Sequence, residues 1–130
     1  MPELSARDIE SGTGGILVHG SRDTVFSNVS IDTRSLQSGD VFFAIRGPNQ
    51  DGHRFIPDAL SKGALGAVVE QAYEYPGEFP VVLVKVEDTH KALKELAMFV
   101  RRRWPGTVVA ITGSMGKTTT RMFVAQVMQS

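Results

Sequence analysis

"SIDTRSLQSGDVFFAIRGPNQDGHRFIPDALSKGA", residues 30–64, decides the fold class. At its centre Val41–Ile45 is an unbroken apolar run with two phenylalanines, the composition of a strand buried on both faces. The turn residues Ser38, Gly39 and Asp40 precede it, and a polar loop from Gly47 to Gly52 follows. After that loop, residues 54–64 place Phe55, Ala59 and Leu60 on one helical face, with Gly63 as the stop. A buried strand, a loop and a helix in that order are the beginning of an α/β domain with parallel strands.

The flanking sequence continues the pattern. Residues 14–20 and 25–31 read as short strands, the second alternating apolar and polar. Residues 65–70 and 81–86 are strand-like and are separated by the turn-rich "YEYPGEFP". A longer helix is expected over about 89–103, capped by Thr89 or Asp88, with Leu93, Leu96, Ala97, Val100 and Trp104 as its apolar stripe. Arg101–Arg103 fall in its last turn, where cations suit the helix dipole. Trp104-Pro105-Gly106 then breaks the pattern and marks a boundary between residues 1–104 and 105–130.

Beyond the boundary comes a new βα unit: the strand "TVVAIT" (107–112), a glycine loop, and a helix expected to open within "KTTTRMFVAQVMQS" (117–130). The loop lies in "ITGSMGKTTT", residues 111–120. The common phosphate loop, G-x-x-x-x-G-K-[ST], needs a glycine where this chain has Ile111, so the loop here is a shorter version built on Gly113 and Gly116. Glycines let main-chain N–H groups face phosphate oxygens without a Cβ in the way, and a following helix N-terminus adds partial positive charge. Lys117 would reach the β- and γ-phosphates, and the Thr118 hydroxyl would ligate Mg²⁺. Nucleotide phosphates and Mg²⁺ are therefore the expected ligands of the loop Gly113, Ser114, Met115, Gly116, Lys117, Thr118 and Thr119.

A second polar constellation is made by Asp32-Thr33-Arg34 and by Gly47–His53. Loops leaving neighbouring parallel strands form a crevice, and hydroxyl, guanidinium and amide groups there suit a base, a ribose or a diphosphate. Each residue also has a local use: Asp32 as a cap, Arg34 as a surface ion pair, Asp51-Gly52 as a tight turn, His53 as a structural hydrogen-bonder.

Composition excludes other classes. Fourteen basic and fourteen acidic side chains cancel, so no global field recruits nucleic acid or an anionic membrane. With no cysteine there is no disulfide, thiol nucleophile or zinc-thiolate site. No apolar run approaches the roughly 18 residues of a membrane span and "MPELSARDIE" has no signal-like core, so a cytoplasmic location is expected.

Taken together, D-T-R, G-D-V-F-F-A-I-R-G, D-G-H-R-F-I and T-G-S-M-G-K-T-T-T resemble the Mur ligase family of peptidoglycan synthesis, over residue 12 onward. The resemblance implies an N-terminal UDP-sugar-binding domain of the kind found in the last two ligases of that series. The first strand, P-loop and helix of a central ATP-binding domain would follow it. It further implies that Thr33, Arg34, Pro48, Asn49 and Gln50 lie where relatives hold the uracil and diphosphate end of a UDP-N-acetylmuramoyl peptide. The implied reaction is ATP-dependent amide formation, adding D-alanyl-D-alanine to a UDP-N-acetylmuramoyl tripeptide through an acyl phosphate. The alternatives are the preceding ligase, which adds the third amino acid, and a stand-alone UDP-sugar-binding module with an inert loop. Met115 departs from the asparagine that relatives often carry, which removes any contact from that amide side chain and leaves the main-chain cradle. The chain is expected to be the first part of a longer enzyme and inactive on its own. Its residues 106–130 are expected to be mobile, to dock on the first domain, or to pair with a second copy.

Overall fold

The computed structural model describes residues 3–106, 109–112 and 122–125. In chain order the elements are β1 (Leu4–Ser5), α1 (Ala6–Thr13), β2 (Ile16–His19), β3 (Val25–Phe26), β4 (Val29–Ser30) and β5 (Val41–Phe43). A 3-10 turn (Gly52–Phe55) and α2 (Ile56–Ser61) follow, then β6 (Gly66–Glu70), β7 (Val82–Val86), α3 (Thr89–Arg103), β8 (Val109–Thr112) and β9 (Met122–Ala125). One mixed sheet runs in the order β2-β7-β6-β5-β4-β8-β9, with β7, β6, β5, β4 and β8 parallel and the two outer strands antiparallel.

Alternation along the central strands splits the core in two. Val41 and Phe43 of β5 join Val68 of β6 and Val82, Val84 and Val86 of β7 beneath α1 and α3. Phe42, Ala44, Ala67, Val69 and Leu83 point to the other face, where Ile56 and Ala59 of α2 and Phe79 cover them. This is why residues 41–44 read as continuous apolar sequence: both faces of the strand are covered.

The helices follow their end signals. Asp88, not Thr89, caps α3, accepting from Lys91 N–H at 3.1 Å. Thr89 instead donates from Oγ1 to the Ala44 carbonyl at 2.8 Å, tying the helix start to the end of β5. Gly63, with φ 97°, ends the α2 segment. Residues 6–13, to which the sequence reading assigned no element, form α1. A reciprocal Ser5/Asp8 capping box starts it and Gly14 in the left-handed region stops it.

Two expectations are corrected. The single strand expected over 25–31 is two: β3 pairs with β1 in a small separate sheet, and β4 enters the main one. Between them Ser27 N–H bonds to the Gly39 carbonyl, which turns the chain from one sheet to the other. The helix expected within 117–130 is, over Met122–Ala125, a strand antiparallel to β8. An open strand edge leaves N–H and C=O groups unpaired, and this segment meets them on the outer edge of β8. The rest of that expected helix lies outside the described residues. Of the fates expected for residues 106–130, docking is the one seen for β8, which pairs Val29↔Ile111 and Ser30↔Thr112 with β4.

Candidate functional site

Strands β4 and β5 are parallel neighbours, and both crevice loops leave the sheet from their carboxyl ends. That edge is where ligands bind in parallel α/β sheets.

The first loop, residues 31–40, is packed and internally bonded. Ser30 Oγ donates to the Asp32 carbonyl at 2.9 Å, and Asp32 Oδ1 accepts from Arg34 N–H at 2.9 Å. The same carboxylate pairs with the Arg34 guanidinium, whose hydrogen bonds hold it below the ordinary carboxylate range against the opposing effect of burial. Thr33 is only 7% exposed, and its carbonyl accepts from Lys62 Nζ at 2.7 Å, which anchors the loop to the end of α2. Asp40, 1% exposed, accepts from Gln37 N–H at 2.9 Å through Oδ2, while its Oδ1 has no partner of hydrogen-bond geometry among the described residues. Burial pushes this carboxyl up, only partly offset by Gln37 and the Asn28 side chain.

The second loop is a small hairpin. Gly52 N–H donates to the Ile45 carbonyl at 2.9 Å, Arg46 and Asp51 form an antiparallel bridge, and Gly47 N–H donates to the Gln50 carbonyl at 2.7 Å. Its tip, Gly47-Pro48-Asn49-Gln50, is exposed. Gly52 has no room for a side chain, because a Cβ would lie 2.7 Å from Ile45 N. Asp51 caps the 3-10 turn, accepting from His53 N–H at 3.0 Å, and meets His53 Nδ1 at 2.6 Å. Burial would raise the Asp51 carboxyl, but these bonds and Arg46 hold it below its ordinary value.

Glu70 N–H donates to His53 Nε2 at 3.0 Å, so that nitrogen carries no proton and Nδ1–H donates to Asp51. Both ring nitrogens are thus engaged, and the imidazole is a structural hydrogen-bonder. Arg46 completes the cluster, donating to Glu70 Oε1 at 2.8 Å. The sequence reading missed Lys62, Arg46 and Glu70 as parts of this edge.

Thr33, Arg34, Pro48, Asn49 and Gln50 are therefore carried by two loops at one sheet edge. They differ in access: Thr33 is buried, Arg34 and the hairpin tip are exposed. The expected phosphate loop, Gly113 to Thr119 with Thr118 as the Mg²⁺ ligand, lies outside the described residues. Thr112, immediately before them, is the parallel register partner of Ser30. Among the described residues there is no metal-binding cluster of His, Cys, Asp and Glu, and no helix is long and apolar enough to cross a membrane.

A family model described as "Mur ligase family, catalytic domain" matches residues 25–101, more than half of the chain. The chain belongs to the Mur ligase family. Among curated relatives, the UDP-N-acetylmuramoyl-tripeptide–D-alanyl-D-alanine ligase of Synechocystis sp. is 44% identical over 108 residues, covering 83% of this chain and 24% of that protein. The crystal structure of MurF from Acinetobacter baumannii superposes with a TM-score of 0.68 at 26% identity, over 79% of this chain and 22% of the other. MurF ligase from Thermotoga maritima, solved in complex with ADP, gives a TM-score of 0.51 at 29% identity, over 62% of this chain and 18% of that one. The chain thus matches 18% to 24% of the length of these Mur ligases.

Proposed function

We propose that this chain supplies the UDP-sugar end of an ATP-dependent Mur ligase, one that joins D-alanyl-D-alanine to a UDP-N-acetylmuramoyl tripeptide. The observation that carries this reading is that D-T-R and G-P-N-Q occupy adjacent loops at the carboxyl edge of a parallel sheet. They do so in a chain 44% identical to a relative bearing that activity in its name. In this reading residues 1–104 bind the nucleotide sugar and residues 105–130 open the ATP-binding domain. The hairpin tip 47–50 offers main-chain and amide groups to the uracil and diphosphate, and Arg34 offers charge.

The donor set at 113–119 fits a triphosphate: glycine N–H groups, one ammonium and hydroxyls. When bound, ATP with Mg²⁺ supplies the phosphoryl group that turns the peptide carboxylate into an acyl phosphate, from which the incoming amine forms the amide and releases phosphate. Lys117 would neutralise charge on the phosphoryl oxygens, and Thr118 would hold the metal. Substrates of this kind place the work in the cytoplasm.

The test is a titration of the chain with UDP-N-acetylmuramoyl tripeptide followed by amide chemical shifts. Changes should cluster at 32–34 and 47–53; scatter, or a cluster elsewhere, would refute the assignment. The 130 residues made on their own should release no phosphate from ATP with both substrates present. A second metal ligand and an aligned acceptor carboxylate are needed for phosphoryl transfer. Turnover that disappears in Lys117→Ala would overturn that expectation.

A further inference from the structure

In a parallel sheet the N–H and C=O of one residue face the same neighbouring strand, and alternate residues face the same side. The Val68 carbonyl accepts from Ala44 N–H of the chain leaving β5, so Glu70, two residues on, also faces that side. At that level the chain has left β5 to make the 45–52 hairpin, and among the described residues no strand remains to meet Glu70 N–H. The His53 imidazole fills the gap with Nε2. Its other nitrogen holds Asp51, which faces Arg46 across the hairpin at 3.9 Å, and Arg46 returns to the Glu70 carboxylate. The contacts form a closed circuit through Glu70, His53, Asp51 and Arg46.

A hairpin with so short a stem has little stability of its own, and exposed ion pairs such as Arg46 with Asp51 add little. The contacts of His53 are of another kind: its side chain is 9% exposed, and it joins the hairpin stem to the main chain of β6. We propose that His53 is a positioning residue. By standing in for the missing strand, it fixes the hairpin so that Gly47–Gln50 meet the nucleotide end of the substrate already arranged. The role given to the tip rests on the substrate reading above; the clamp itself does not. Pre-ordering of this kind raises affinity by sparing the cost of ordering the loop on binding.

Two substitutions separate the ring's two contacts. His53→Gln keeps an acceptor near the Nε2 position for Glu70 N–H. His53→Asn keeps only a group near Nδ1, within reach of Asp51. In the 130-residue chain, His53→Asn should speed amide hydrogen exchange at Gly47 and Gly52 and weaken UDP-N-acetylmuramoyl tripeptide binding by about tenfold, the scale of one lost hydrogen bond. His53→Gln should restore protection and most of the affinity. In the wild type, ring ¹⁵N shifts should show a proton on Nδ1 and none on Nε2. A proton on Nε2 overturns the proposal even if the variants fail to fold. Unchanged exchange and affinity in His53→Asn overturn it as well. If the wild-type chain does not bind the nucleotide at all, the substrate reading fails, and exchange at Gly47 and Gly52 still decides whether His53 holds the hairpin.

Discussion

The two loops leaving β4 and β5 have similar lengths and share one edge of the sheet, yet they are built in opposite ways. In residues 31–40 most polar groups are turned inward: Asp32 to Arg34, Gln37 N–H to Asp40, and the Thr33 carbonyl to Lys62. Leu36 of the same loop sits in the core beside Phe42 and Ile56. In residues 46–50 nothing is buried, and the hairpin is held from its base. The first loop is therefore part of the fold, and the second is a projection that the fold carries. A ligand can find unspent main-chain groups at the hairpin tip, whereas at the first loop it meets chiefly the exposed Arg34 side chain on a surface otherwise bonded to itself.

The largest effect that follows is on stability, and it should differ sharply between the loops. Leu36→Ala removes a side chain 8% exposed and leaves a cavity beneath the loop, so a loss of about 2–4 kcal/mol is expected. Asn49→Ala, at the exposed tip, should change stability by less than about 0.5 kcal/mol while weakening nucleotide binding. Urea denaturation of the two variants reads both values. Similar losses would mean that the hairpin is as much a part of the fold as the first loop.

This asymmetry also governs what could be read from sequence. Val41–Ala44 was legible because covering both faces leaves an unbroken apolar run, and α3 was legible from its stripe and caps. Helix α1 is only eight residues long and its buried apolar side chains are just Ala6 and Ile9, too few to mark a stripe; the Ser5-x-x-Asp8 box and Gly14 were the signals to use. The split of 25–31 turns on a hydrogen bond to Gly39, twelve residues ahead of Ser27, which no local pattern encodes. At the site, the bond between Asp51 and His53 lies within one turn and was open to inspection. Lys62 reaches Thr33 across 29 residues and Glu70 reaches His53 across 17, so those partners appear only when strands and helices are in place.

A smaller effect tests whether the hairpin depends on its base. Thr89 Oγ1 donates to the Ala44 carbonyl, both residues being fully buried, at the point where β5 gives way to the hairpin. Thr89→Val keeps the shape but leaves that carbonyl unmet, at a cost of about 1–2 kcal/mol. Amide shifts should change from Ala44 through Arg46 and remain still over 31–36. A disturbance of equal size in both loops would break the contrast, since it would make the edge a single mechanical unit.

The smallest effect lies inside the first loop, where two carboxylates should respond to pH with opposite signs. Asp32 is held below the ordinary 3.8 by the Arg34 hydrogen bonds, so its contribution to stability is present above that value and is lost as pH falls through its folded value. Asp40 is raised above 3.8 by burial, so its contribution is present below 3.8 and is lost as pH rises through its folded value; at neutral pH the buried charge is a cost. Asp32→Asn should therefore lower the thermal midpoint at pH 7 and change it little near pH 3. Asp40→Asn should raise the midpoint at pH 7 and lose that advantage in acid, since an amide oxygen can still accept from Gln37 N–H. Water screens the Arg34 pair and the Asp40 carboxylate keeps its hydrogen bond from Gln37 N–H, so both changes should stay below about 1 kcal/mol. The comparison uses melting curves of both variants and the wild type between pH 3 and pH 8, a range chosen to span about the 3.8 reference and neutrality. Curves that stay parallel to the wild type would show that neither carboxylate differs from an exposed one. A shift of the same sign at pH 7 would show that the orphaned oxygen of Asp40 is satisfied in solution.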